Sequence, residues 1–245
     1  YASTAVKEIL SGKFGKAKEV LVEEFLKGEE MSFFVISDGK TFKHFGTAQD
    51  HKRVFEGDRG KNTGGMGAYS PSRLENAKLS KKIINKIVKP TLLGLKDLKT
   101  EFKGFLYVGL MIINGDPYLI EYNVRMGDPE CQTILPKLKT DFYEILEACV
   151  NKSLNTTDIK WYDDKSICVV LCSKGYPDEF RNEIEIKNLK KINLKNNEFI
   201  FHAGTKSLNN QILSNGGRVL NFVIRCKELK EGRKEIFKLI DQLDW

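Results

Sequence analysis

The run QDHKRVFEGDRGKNTGGMGAYSP, residues 49–71, constrains this chain more than any other stretch. It concentrates charge, hydrogen-bond donors and three glycines (Gly64, Gly65 and Gly67) in a span expected to be neither a regular helix nor a buried strand. Glycine lets a backbone approach a ligand closely and turn successive N–H groups toward it. Lys52, Arg53, Arg59 and Lys61 supply the positive charge that a phosphate attracts. A solvated surface loop is the competing reading. Loops of this length without secondary structure are usually functional or disordered, and the Met, Tyr and Pro residues that close this one argue against disorder.

The 245 residues, 41% hydrophobic and 30% charged, give room for one large or two ordinary domains with a full core. No run approaches the ~18 apolar residues that span a membrane. The start, Tyr1 to Glu8, is neither an initiator Met nor a signal peptide and reads as the tail of an amphipathic helix, so the chain is expected to begin partway through a larger protein. Net charge is +7, but the 40 basic and 33 acidic residues are interleaved. There is no dense basic arm of the nucleic-acid kind, only a bias toward anionic ligands. Cysteines stand at 131, 149, 168, 172 and 226, without the partners of a zinc set. Cys168 and Cys172 lie on one face of an apolar strand as structural thiols. Reduced thiols point to the cytoplasm.

Residues 20–22, 31–36 and 41–48 read as three consecutive short strands, with turns at Gly28 and Asp38-Gly39. Leu79, Ile83, Ile87 and Leu92 recur at helical spacing, and Pro90 is expected to kink or divide that helix. Strands 104–113 and 118–124 are joined by a hairpin signal, Asn114-Gly115-Asp116, and a helix follows over 142–150. Residues 151–165 are polar and read as a linker. Beyond it come strands at 166–172, 199–203 and 218–225 and a last helix over 229–243, a smaller α+β unit.

In the strand LIEYNVR, alternation places Glu121, Asn123 and Arg125 on one face. A carboxylate and an amide oxygen suit a hard cation such as Mg²⁺, which shares oxygen ligands with nucleotide phosphates. An arginine just beyond braces a transferring phosphoryl oxygen. A sheet with one wet face is the plainer alternative, weakened by two further acids in Gly127-Asp128-Pro129-Glu130. The run VLVEEFLKGEE, residues 20–30, is either an exposed strand end or a presenter of backbone groups to an adenine and a carboxylate to a ribose. Gly39-Lys40-Thr41 ends like a P-loop, but Phe34 stands where that motif needs glycine. Neither a dinucleotide fingerprint nor a hydrolase nucleophile motif is present.

Taken in order, VEEFLKGEE, QDHKRVFEGDRGKNTGGMGAYSP, GFLYVGLM, LIEYNVRMGDPECQ, FHAGTK and NGGRVL closely resemble the phosphoribosylamine–glycine ligase (glycinamide ribonucleotide synthetase) family of ATP-grasp enzymes, from about residue 12 to the end. The resemblance implies an α+β fold: the second lobe of an ATP-grasp fold, an antiparallel sheet with helices, over 1–155, then a small α+β C-terminal domain over 156–245. It implies ligation of glycine to phosphoribosylamine through glycyl phosphate, with ATP cleaved to ADP and phosphate, and with Mg²⁺ or Mn²⁺. On that reading Glu23 meets the adenine amino group, Glu24 and Leu26 offer main-chain contacts, and Glu30 holds the ribose. Glu121 and Asn123 are the metal ligands and Arg125 is the catalytic arginine. Asp50, Lys52, Arg53, Asn62, Thr63, Gly64, Gly65, Met66, Gly67 and Asp128 are candidates for glycine and phosphoribosylamine. No side chain acts as nucleophile.

There are two departures. The strand before Glu121 reads Tyr107-Val108-Gly109-Leu110-Met111 without an acid, which leaves the metal set sparse. The family's N-terminal domain and first ATP-grasp subdomain, with the lysine and glycine-rich flap that grip the phosphates, have no counterpart here. This chain alone is therefore expected to bind ATP poorly and not to turn over, and its partner is that N-terminal portion. The alternatives are another ATP-grasp carboxylate–amine ligase, disfavoured by residues 62–71, and a basic RNA-holding module, disfavoured because the loop's aromatics are only Phe55 and Tyr69.

Overall fold

The computed structural model describes residues 2–13 and 15–245. Helix α1 (Ala2–Leu10) comes first, and the part of the expected helix tail at Tyr1 lies outside the described residues. Then follow β1 (Glu29–Asp38), β2 (Phe42–Asp50), β3 (Arg53–Phe55), β4 (Arg59–Asn62) and β5 (Gly67–Ser70). Helix α2 (Ala77–Ile83) continues through a π-helical turn, Ile84–Val88, into α3 (Lys89–Asp97). After β6 (Lys103–Ile113) and β7 (Asp116–Asn123) come α4 (Glu130–Ile134) and α5 (Phe142–Val150). The chain then forms β8 (Lys165–Cys172), β9 (Glu198–His202), β10 (Thr205–Leu208), β11 (Gln211–Ser214), β12 (Arg218–Cys226) and α6 (Leu229–Ile240).

Eight strands form one sheet in the order β7-β6-β1-β2-β5-β8-β12-β9, with every neighbouring pair antiparallel. Strand β1 is apolar on both faces because both are covered. Phe33 and Val35 face a core built with Leu79, Ile83 and Ile87 of the α2–α3 region. Phe34 and Ile36 face the opposite core, with Phe45, Ile134 and Ile145. At the far end, Leu220, Phe222 and Ile224 of β12 pack on Ile236 and Leu239 of α6. Asn76 caps α2, its side chain accepting from the Leu79 N–H at 2.9 Å. The π-helical turn falls just before Pro90, which has no N–H to continue the ladder.

Three expectations need correction. Residues 20–22 are not a strand: the stretch 16–28 is irregular, and Leu21, Val22 and Phe25 are 80%, 83% and 82% exposed. An apolar run becomes a strand only when a neighbour satisfies its backbone, and among the described residues none lies beside it. The glycine-rich run is not loop throughout, since Arg53–Phe55 and Arg59–Asn62 pair as a hairpin and Gly67–Ser70 is a buried strand between β2 and β8. Gly67 permits this, because a Cβ there would stand 2.5 Å from the Cys168 carbonyl oxygen. Residues 151–165 are not a solvated linker: Leu154, Ile159 and Trp161 pack into the second core, and the Leu154 N–H donates to Asp38 at 3.1 Å.

The five cysteines are free thiols. Among the described residues no helix is long and apolar enough to cross a membrane. Phe222 is wholly buried beneath α6. Phe222→Ala is expected to cost about 3–5 kcal/mol of stability, measured as a shift in urea-induced unfolding; a loss under about 1 kcal/mol would show that this layer is loosely packed.

Candidate active site

The C-terminal end of β2 carries Asp50, with Lys52 just beyond it, to the meeting point of two cavities. The larger, about 550 Å³, is walled by Leu26, Glu29, Glu30, Gln49, Arg53 and Asn62 among others. The smaller, about 100 Å³, is lined by Glu121, Asn123, Arg125, Asp128, Glu130 and Gly64 with Tyr107. Asp50 and Lys52 line both. Leu26 and Glu30, two of the expected nucleotide contacts, line the larger space. Glu23 and Glu24 sit on the exposed 16–28 stretch and line neither cavity.

Charge at the junction is tightly arranged. Lys52 Nζ lies 2.8 Å from Glu30 Oε2. Burial works against the charged lysine, but the hydrogen bond and charge of Glu30 prevail and raise its pKa. Asp50 behaves in the opposite way. Burial, reinforced by the charge of Glu130, pushes its carboxyl up to about 7, against Lys52, which pulls it down. Its Oδ1 is shielded from solvent and finds no hydrogen-bond partner among the described residues. Glu130 is also buried and raised, and it accepts from the Ser32 hydroxyl at 3.1 Å. Ser32 Oγ lies 3.1 Å from the Tyr107 hydroxyl oxygen, and burial pushes that phenol up to about 12.

The glycine loop does not direct its amides at an open cleft. The Gly64 N–H donates to the Tyr176 hydroxyl at 2.9 Å, Gly65 to Thr63 Oγ1 at 3.0 Å, and Met66 to the His51 carbonyl at 2.8 Å. Thr63 is likewise committed, with both its N–H and its hydroxyl donating to the Lys52 carbonyl. Gly65, at φ +117°, is needed for fit against the protein itself: a Cβ would stand 2.5 Å from Pro129 and 2.9 Å from Asp50 Oδ1. Met66 and Gly67 open instead onto a third cavity of about 410 Å³ beside α6, which shares His51, Arg53, Asp58 and Tyr69 with the larger one. Of the expected substrate contacts, Asp50, Lys52, Gly64 and Asp128 converge at the smaller cavity, whereas Arg53 and Asn62 face the larger one.

The period-two pattern of β7 brings Glu121 and Asn123 to one cavity, which Arg125, two residues past the end of the strand, also lines. Asn123 Nδ2 donates to Glu121 Oε1 at 3.3 Å, so a carboxylate and an amide stand side by side with free oxygen capacity. Among the described residues no group of three His, Cys, Asp or Glu side chains could hold a metal ion. Two oxygens beside an open cavity nevertheless fit a hard cation that takes its other ligands from phosphate and water. Sequence reading missed Ser32, Tyr107, Tyr176 and Arg218. Alternation along β1 and β6 was the available signal for the first two; Arg218 stands inside the motif NGGRVL, which marks the segment but not what the side chain meets, and Tyr176 arrives from a distant segment with no local cue.

An antiparallel sheet with helices packed on both faces, beside a cleft of nucleotide size, is the fold of ATP-grasp enzymes. The biotin carboxylase domain of a thermophilic 2-oxoglutarate carboxylase shares the fold at TM-score 0.68 and 14% identity, covering 99% of this chain and 52% of that one. The family is narrower still. The family model for the phosphoribosylglycinamide synthetase ATP-grasp (A) domain matches residues 1–131, and that for the C domain of the same synthetase matches 166–245. The chain belongs to the phosphoribosylglycinamide synthetase family. It is 42% identical over 245 residues to the phosphoribosylamine–glycine ligase of Mesorhizobium japonicum, covering 100% of this chain and 57% of that protein. The Haemophilus influenzae ligase is also 42% identical, over 248 residues, with the same coverage. The crystal structure of phosphoribosylamine–glycine ligase from Thermotoga maritima superposes at TM-score 0.86 with 30% identity, covering 100% of this chain and 61% of that one. The chain thus spans somewhat more than half the length of these relatives.

Between the unfolded-state value near 3.8 and the native value of about 7, folded Asp50 keeps a proton that the unfolded chain has lost. Stability therefore falls as pH rises through that window. Asp50→Asn is expected to be more stable than the parent at pH 8, with the difference shrinking toward pH 4, in thermal unfolding at both values. An asparagine variant destabilised equally at both would contradict a buried carboxyl whose Oδ1 is unpartnered.

Proposed function

We propose that residues 1–155, as the second lobe of an ATP-grasp domain, and 156–245, as a C-terminal domain, form the latter part of an enzyme that joins glycine to 5-phosphoribosylamine. The products are glycinamide ribonucleotide, ADP and phosphate, a step of purine synthesis. The observation that carries the proposal is the convergence of Glu121, Asn123, Arg125 and Asp128 on a cavity that shares Asp50 and Lys52 with a nucleotide-sized one.

In this reading ATP occupies the larger cavity. Glu24 and Leu26 offer main-chain contacts, Glu30 meets the ribose, and Glu23 reaches the adenine amino group from the 16–28 stretch. Glu121 and Asn123 would hold Mg²⁺ or Mn²⁺, which neutralises phosphate charge when bound. A glycine carboxylate oxygen attacks the γ-phosphorus and the bond to ADP breaks, giving glycyl phosphate. Arg125 stabilises the charge on the phosphoryl oxygens. The phosphoribosylamine nitrogen then attacks the glycyl carbonyl, the C–O bond to phosphate breaks, and the nitrogen loses a proton. Asp128, Asp50, Lys52 and the 62–67 loop hold the two reactants, so the rate comes from positioning and charge neutralisation. The five free thiols fit a reducing cytoplasm. Turnover requires the N-terminal portion that the family's longer members carry.

The test is ADP release from ATP, Mg²⁺, glycine and phosphoribosylamine, with and without that portion. Activity only in the mixture is expected. Efficient turnover by this chain alone would refute the split, and silence in a mixture shown to associate and bind ATP would refute the substrates. In the active mixture Arg125→Ala is expected to lower kcat by about 10²–10³; a loss below about tenfold would remove it from the reacting phosphate.

A further inference from the structure

Two segments of the family motif, FHAGTK and NGGRVL, have no task in the reaction just described, yet they converge on one side chain. Arg218 opens β12, and its guanidinium meets two segments remote in sequence. Nη1 donates to the Gly64 carbonyl at 2.8 Å and to the Asp128 carbonyl at 2.7 Å, while Nη2 donates to Asp128 Oδ2 at 3.2 Å. The Tyr176 hydroxyl accepts the Gly64 N–H at 2.9 Å. Both backbone groups of Gly64 are thus gripped from the C-terminal side of the chain. Asp128 is fixed at both oxygens, because Gln132 Nε2 donates to Oδ1 at 2.9 Å.

The motif loops build the seat for this arginine. The N–H groups of Ala203 and Gly204 donate to the Val219 carbonyl at 3.0 and 3.1 Å, and Asn215 donates to the Gly204 carbonyl at 2.7 Å. Ser173 donates through its N–H to Gly217 and through its hydroxyl to Gly216, both at 2.8 Å. Arg218 is only 21% exposed. A planar guanidinium, charged at every accessible pH, can satisfy three acceptors on two segments; a lysine ammonium on a flexible stem cannot reproduce that fork.

We infer that Arg218 is a positioning residue that locks the Gly64 loop and the Asp128 turn onto the C-terminal strands of the sheet, so that the C-terminal domain sets the geometry of the glycine and phosphoribosylamine side of the cleft. The inference rests on the reading above that those two segments hold the reactants. Arg218 acts away from the larger cavity, since its partners Gly64 and Asp128 line the smaller one and not the larger.

The test has two arms. In the complete enzyme, Arg218→Lys and Arg218→Met are expected to raise KM for glycine or phosphoribosylamine about tenfold or more (about 1.4 kcal/mol) with KM for ATP nearly unchanged. Lysine should fail to restore the parental value, because charge without the fork is insufficient. A parallel rise for ATP, or no rise for either reactant, would overturn the inference. In this 245-residue chain, amide hydrogen exchange at Gly64 and Gly65 should accelerate in Arg218→Met and at Gly64 in Tyr176→Phe, while the β12 amides of Phe222 and Ile224 keep parental rates and report an intact fold. Unchanged exchange at Gly64 would overturn the clamp. Acceleration there in Arg218→Met, where the parental enzyme itself shows no ligase activity, would uphold the clamp and discard the substrate assignment alone.

Discussion

Everything in this molecule hangs on a four-residue strand. β5 pairs with β2 through Gln49↔Tyr69 and Asp50↔Ala68, and with β8 through Gly67↔Val169 to Ser70↔Ser166. Without those backbone bonds the strands of the first 125 residues and those after 165 would belong to two separate sheets. With them, the end of β2 is pinned where Asp50 borders both cavities, and the loop leading into β5 is drawn against the 127–130 turn. Ladder hydrogen bonds are individually modest, but leaving buried N–H and C=O groups unpaired is costly. The seam is therefore held by what its loss would expose.

Local chemistry was legible wherever the signal and the structure share a length scale. The Asn114-Gly115 turn joins two strands in register, and the helix Phe142–Val150 lies where its apolar spacing places it. Glu121 and Asn123 reach one cavity because period-two alternation is a property of the strand alone, and Arg125 joins them from just past its end. Legibility failed where a partner decides. Residues 20–22 have the β-branched pattern of a strand but no neighbouring backbone, while Gly67–Ser70 lacks the pattern and is a strand because β2 and β8 flank it. The polar look of 151–165 concealed Leu154, Ile159 and Trp161, which pack into the second core. Tyr176 and Arg218 lie more than a hundred residues from Gly64, beyond any window over which local spacing speaks.

The glycines illustrate how one composition can serve two ends. Their abundance pointed to a backbone that cradles a ligand, and their contacts show a backbone that nests against its own protein. Rigidity gained this way is useful to a site, since a loop already bonded through Tyr176, Thr63 and His51 has less freedom to lose when a reactant arrives. The same place carries the opposite economy. Asp50 keeps a shielded oxygen without a hydrogen bond, an arrangement that weakens the folded state at neutral pH and leaves an acceptor at the cavity junction.

The brevity of β5 has a mechanical side. A sheet resists flexing through its ladders, and between β2 and β5 the ladder consists of two residue pairs, against ten between β1 and β6. Bending strain will collect along that line as a crease collects in folded card. One of the two pairs contains Asp50, so any twist of one half of the sheet against the other has its fulcrum at the residue that both cavities share.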